Sequence, residues 1–118
     1  MTTEPGQHNF LLPQGATFTE VLTWQDENGA AINLTGYTAR MEAKRRQSPT
    51  TTVINLTTEN GGIALGGSAG TITLTLNATA TALLIPGTYD YDLELISSGA
   101  IVTRLLQGIV NVTPEVTT

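Results

Sequence analysis

Three carboxylates alternate with apolar residues in the run Tyr89-Asp90-Tyr91-Asp92-Leu93-Glu94-Leu95. Period-two alternation puts Asp90, Asp92 and Glu94 on one face of a strand, roughly 7 Å apart per step. Acids so placed suit two kinds of chemistry: holding a hard cation, or serving as acid and base across a glycosidic bond. A cation needs ligands wrapped around it, and no DxDxDG-type loop occurs in the chain. A hydrolytic pair needs two carboxyl groups facing each other across a cleft, which a single flat strand does not supply. Arg40 and Lys44 stand on another alternating stretch. Pairing of the two strands would set opposite charges side by side, each pair contributing about 0.2–1 kcal/mol. The expectation is a solvated ionic face and no enzyme.

The remaining reactive residues are few. His8 is the only histidine and there is no cysteine, so neither a catalytic triad, a transition-metal site nor a bound cofactor is expected. Gly66 to Gly70 (GGSAG) lacks the lysine of a phosphate loop and reads as a turn. Asn33, Asn55, Asn77 and Asn111 each open an Asn-x-Thr triplet. Threonine is about a fifth of the chain, and Met1 to Gly6 has neither a basic nor an apolar stretch of a secretory signal, so the triplets read as coincidence. With net charge −5, and four of the five cations clustered between Arg40 and Arg46, nucleic acid is not an expected partner. No apolar run approaches the ~20 residues of a membrane helix. Two features point to protein contacts instead. Phe10-Leu11-Leu12-Pro13 is an apolar stretch ahead of the first secure strand, and such patches mark partner surfaces. Arg104 stands alone among apolar residues and must meet solvent or a carboxylate, with Glu115 beyond the last strand in reach.

The elements that position these residues are short strands. Turn signals recur at roughly 8–12-residue spacing, the rhythm of a sandwich or barrel. Phe18 to Trp24 alternates and runs into Asp26-Glu27-Asn28-Gly29, a hairpin signal. Tyr37 to Lys44 sets Tyr37, Ala39, Met41 and Ala43 against Thr38, Arg40, Glu42 and Lys44. Thr52 to Thr57, Ile63 to Leu65, Thr71 to Leu76 and Tyr89 to Leu95 follow, and Ile101 to Val112 closes the chain with a bulge expected at Gly108. Asn77 to Leu84 carries helix-favouring Ala and Leu between a capping Asn77 or Thr79 and the stop Pro86. The expected fold is an all-β, immunoglobulin-like antiparallel β-sandwich with at most one short helical turn. The expected organisation is an N-terminal arm over residues 1–13 and one domain over residues 14–118. Trp24, Ile72, Leu74, Tyr89, Tyr91 and Leu93 are the expected core.

The ending Pro86-Gly87-Thr88-Tyr89-Asp90-Tyr91-Asp92-Leu93-Glu94-Leu95, then Val102-Thr103-Arg104-Leu105-Leu106-Gln107-Gly108, then Val110 to Thr117 (VNVTPEVT) carries a resemblance. It resembles the ending of small immunoglobulin-like, baseplate-upper-protein-like structural proteins of tailed bacteriophages. Gly15 to Phe18, Trp24 and Ile32 to Met41 agree with it, so the resemblance spans residues 10–117. It implies a non-enzymatic virion protein, made in a host cytoplasm, docking in the tail, baseplate or neck as an assembly or adaptor module. Other virion proteins and further copies of the chain are the implied partners, with Phe10, Leu11, Leu12 and Arg104 as the expected contact residues. The alternatives are a capsid decoration protein and a cell-surface-binding, adhesin-like module, the latter requiring exposed aromatics in a groove.

Overall fold

The structure is a computed structural model in which residues 6–46 and 51–116 are described. Nine strands run in chain order: β1 (Gly6–Gln7), β2 (Phe10–Pro13), β3 (Phe18–Thr23), β4 (Thr38–Arg45), β5 (Thr52–Thr57), β6 (Ile63–Leu65), β7 (Thr71–Leu76), β8 (Gly87–Ile96) and β9 (Val102–Thr113). They form two sheets. The larger has the order β1-β9-β8-β4-β5, with β2 continuing along β9 beside β1, and the smaller has the order β3-β7-β6. Among the described residues, helix is confined to two single turns, α1 (Ala78–Ala82) and a 3-10 turn over Gly67–Ala69. The all-β sandwich is the fold that the alternation predicts.

Alternation decides the faces. Ala39, Met41 and Ala43 of β4, and Tyr89, Tyr91, Leu93 and Leu95 of β8, are buried in one core with Ile72 and Leu74 of β7. The expected core residues Trp24, Ile72, Leu74, Tyr89, Tyr91 and Leu93 all lie inside. The Asn77 side chain accepts from the Ala80 N–H at 2.8 Å and so caps α1 as expected. Gly29, at φ +81°, closes the turn after β3, where the Asp26 carboxylate accepts from the Asn28 and Ala30 N–H groups.

The N-terminal residues depart from expectation. Residues 6–13 are not an arm. They form β1 and β2, parallel to β9, with Gly6 opposite Leu106 and Pro13 opposite Thr113 at one constant offset on either side of a break at His8 and Asn9. Phe10 is 3% exposed and Leu12 1%, so two of the four expected contact residues belong to the core. The Phe10 ring meets Phe18 edge-on at 5.7 Å and Tyr91 at 5.1 Å. The apolar run before the first secure strand is itself a strand, with Phe10 and Leu12 inward and Leu11 outward. The junction to β3 is fastened as well. Thr81 Oγ1 donates to the Ala16 carbonyl and accepts from the Gly15 N–H, and Gln14 Nε2 donates to the Leu84 carbonyl.

Two smaller expectations also shift. The irregularity in β9 lies at Leu105, because Leu93 faces Leu106 and Glu94 faces Arg104. Gly108 serves another purpose: a Cβ there would stand 2.3 Å from the His8 carbonyl oxygen, so its bare backbone lets the first strand pass close. Of the uncharged strands Thr52–Thr57 and Thr71–Leu76, β7 is central to its sheet and β5 is at an edge.

Candidate docking surfaces

The outer face of the larger sheet carries the ionic residues. Register places Lys44 opposite Asp90, Glu42 opposite Asp92 and Arg40 opposite Glu94. Arg40 Nε donates to Glu94 Oε1 at 2.7 Å. Arg46, one residue beyond β4, grips Asp90 through Nε at 3.2 Å and Nη2 at 2.6 Å. The Arg104 guanidinium reaches from β9, 3.6 Å from Asp92 and 3.9 Å from Glu94. The charge pairing foreseen from spacing is therefore present at Arg40–Glu94, while Asp90 hydrogen-bonds Arg46 and not the facing lysine. Arg104 meets carboxylates, but not Glu115, whose backbone N–H donates to Gln14 Oε1.

Each acid feels a different surrounding. The hydrogen bond from Arg46 holds the Asp90 carboxyl below the usual carboxylate range. Burial pushes the Asp92 carboxyl above that range, opposed by Arg104 and reinforced by Glu94 and Glu42. Glu94 raises the already high Arg40 guanidinium, first by its hydrogen bond and then by its charge. The arrangement stitches β4, β8 and β9 together across their outward face. Among the described residues no three His, Cys, Asp or Glu side chains are grouped to hold a metal ion.

Of the proposed contact residues, Leu11 at 60% exposure and Arg104 remain at the surface. They do not form one patch: Leu11 is opposite Asn111 on β9, seven residues beyond Arg104 in the chain. His8 is exposed, its ring edge-on to Phe10 at 4.7 Å, and its carbonyl accepts from the Tyr91 hydroxyl. Burial drives the Tyr91 hydroxyl well above its ordinary value, so it stays a donor. Trp24 is buried and packs edge-on against Tyr37 at 6.2 Å. A shallow apolar crevice opens between β3 and the start of the larger sheet, lined by Gln7, His8, Leu22, Thr23, Trp24, Leu105 and Leu106.

The smaller sheet presents a surface of another kind. Thr19 faces Thr75, Val21 faces Thr73 and Thr23 faces Thr71, while Ala64 of β6 sits beside Thr73. Thr19, Val21, Thr23, Ala64 and Thr75 are exposed, and this outward face carries no charge. The one ionic side chain in the sheet is Glu20, on the inward-facing register of β3. The alternation in Phe18 to Thr23 and Thr71 to Leu76 defines these faces from sequence. That the two strands are neighbours, which makes their threonines one surface, follows only from the topology. No protein-family model matches the chain, and no curated protein matches it.

Proposed function

We propose that this chain is a non-enzymatic structural protein of a tailed-bacteriophage virion, acting as an assembly or adaptor module in the tail, baseplate or neck. Two lines support the reading. The first is the resemblance of the Pro86-to-Thr117 ending, whose strands β8 and β9 occupy adjacent inner positions of the larger sheet. The second, which carries the reading into geometry, is the contrast between the outer faces. Cationic and anionic side chains satisfy one another on the larger sheet, and the smaller sheet offers an uncharged surface that another protein can cover without stripping water from paired ions. The aromatic side chains are largely committed to the interior, which favours a protein partner over a sugar that would stack on exposed rings.

The test is to purify intact particles of the phage that encodes the chain, identify their proteins by mass spectrometry and label this one by immunoelectron microscopy. The expected result is a fixed copy number per particle with label on the tail, baseplate or neck. Label over the head would replace this reading with capsid decoration. Infectious particles without the chain would end the virion reading altogether.

A further inference from the structure

We infer that the free edge of β3 is a homodimer seam, on which a second copy of this chain adds its own β3 antiparallel, joining the two smaller sheets into one six-stranded sheet. The inference does not rest on the virion reading. It begins from where backbone groups point. The Trp24 N–H donates to the Gly70 carbonyl at 2.9 Å, continuing the register in which Phe18 faces Leu76 and Leu22 faces Ile72. Even-numbered residues of β3 therefore direct their N–H and C=O toward β7. Thr19, Val21 and Thr23 direct theirs outward, where no strand of the described residues follows β3 in the sheet. All three are exposed.

The other edges are closed to such pairing. On β5, the Thr58 N–H reaches the Ala39 carbonyl, so the odd-numbered residues face out. The Asn60 side chain covers that row, accepting from the Thr57 N–H at 2.9 Å and donating to the Asn55 carbonyl at 3.0 Å. Val53 bulges out of register besides. The β1–β2 edge is interrupted between Gln7 and Phe10, and ends on Pro13, which has no N–H to give. The β6 strand is only three residues long. Among the described edges longer than three residues, β3 alone is continuous, free of proline and free of bulges.

The row on β3 is also self-complementary. A two-fold axis at Val21 sets it opposite the partner's Val21, with Thr19 opposite the partner's Thr23, and each pair can exchange two backbone hydrogen bonds. Two chains of net charge −5 repel at a distance, yet nothing charged meets across this seam on the outer face. On the inner face, Glu20 falls opposite the partner's Leu22 and not opposite its own counterpart, so the two carboxylates are diagonal neighbours. The second copy is thus admitted in a register without direct like-charge contact.

The test is the oligomeric state of the full chain by light scattering and sedimentation, in wild type, Val21→Pro and Val21→Lys. In a monomer the Val21 N–H bonds nothing within the sheet, so proline there removes no ladder bond, but it removes the central bonds of the seam. Lysine sets two cations across the axis on an exposed site. The expected result is a wild-type dimer and two monomeric variants with unchanged far-ultraviolet circular dichroism. If Val21→Pro fails to fold, Val21→Lys decides alone. A monomeric wild type at high micromolar concentration overturns the inference and leaves the β3 edge open only to a different protein. Dimers that persist in the folded variants overturn it by placing the contact elsewhere.

Discussion

The two outward faces of the sandwich handle water in opposite ways. The larger sheet, or the residue just beyond its strands, holds all five lysines and arginines of the chain, and its acids lie among them. The smaller sheet keeps one carboxylate, turned toward the interior side, and meets solvent with threonine hydroxyls. With 15 ionic residues in total, the chain has concentrated cross-strand pairing on one sheet. The difference teaches where stability and association separate. Ion pairs on a half-exposed sheet fix strand register and contribute little net energy. An uncharged face with hydroxyl donors and acceptors contributes even less to folding, but loses little when another surface covers it. Neither face holds the fold together; the layer between them does.

The largest effect expected is therefore in that shared layer. Phe10→Ala removes a ring packed on both Phe18 and Tyr91, and should cost about 3–5 kcal/mol in denaturant unfolding. A cost below about 1 kcal/mol would mean that the first strand is dispensable and that residues 6–13 behave as an arm after all. Next, Leu93→Ala on the larger sheet and Leu74→Ala on the smaller should each cost about 2–5 kcal/mol, since both side chains are fully buried. Equal losses from both sheets would confirm one core. A large loss at Leu93 with a negligible one at Leu74 would instead detach the smaller sheet from the folding unit.

Much of this is legible in the sequence, and the misses share a cause. Period two marks β4, β7 and β8 with their correct faces, because a one-residue slip would turn every buried side chain outward. Asp90, Asp92 and Glu94 read as an outward row for the same reason, as do Arg40 and Lys44 on the strand that faces them. What alternation cannot tell is which strands become neighbours. Phe10-Leu11-Leu12-Pro13 is apolar throughout, so its four residues do not show which side chains turn inward, nor distinguish a strand from an apolar tail without knowing that β9 lies alongside. Arg104 presents the same difficulty. Whether it meets Glu115 or the β8 acids depends on the one-residue irregularity at Leu105, which sets which β9 side chains face out. The threonine face is a product of the β3–β7 pairing, and the closed edge at Asn60 depends on a turn folding back on β5.

A smaller effect is expected at that closed edge. Asn60→Ala frees the Asn55 carbonyl and the Thr57 N–H, which water can reach, so the loss should be about 1 kcal/mol. The more telling readout is turbidity on storage, because an uncharged strand with its outward groups uncovered is a template for pairing. Faster aggregation at nearly unchanged stability is the expected outcome. Unchanged aggregation would mean that the Val53 bulge alone protects β5 and that the amide is incidental.

The smallest effects separate the two faces by pH. Asp90 has a folded-state pKa below its unfolded value, so its contribution is present above the unfolded value and is lost as pH falls through the folded one. Asp92 is displaced the other way. Its raised folded-state pKa makes the protonated form the better-tolerated one, so stability is gained below the unfolded value and lost as pH rises through the folded value. Asp90→Asn should therefore lower the melting temperature slightly at neutral pH, the deficit closing in acid. Asp92→Asn should raise it slightly at neutral pH, because a partly desolvated charge is removed, and that advantage should also close in acid. Thr75→Lys on the opposite face is the reference: an exposed position that faces Thr19, with no ionic partner across its register, should change stability by no more than about 0.5 kcal/mol. Thermal melts of the three variants across the acid range distinguish these cases. If the Asp90 and Asp92 variants moved the same way with pH, the cross-strand pairing would be acting as one uniform field. In that event the separate roles of Arg46 and of burial would have to be abandoned.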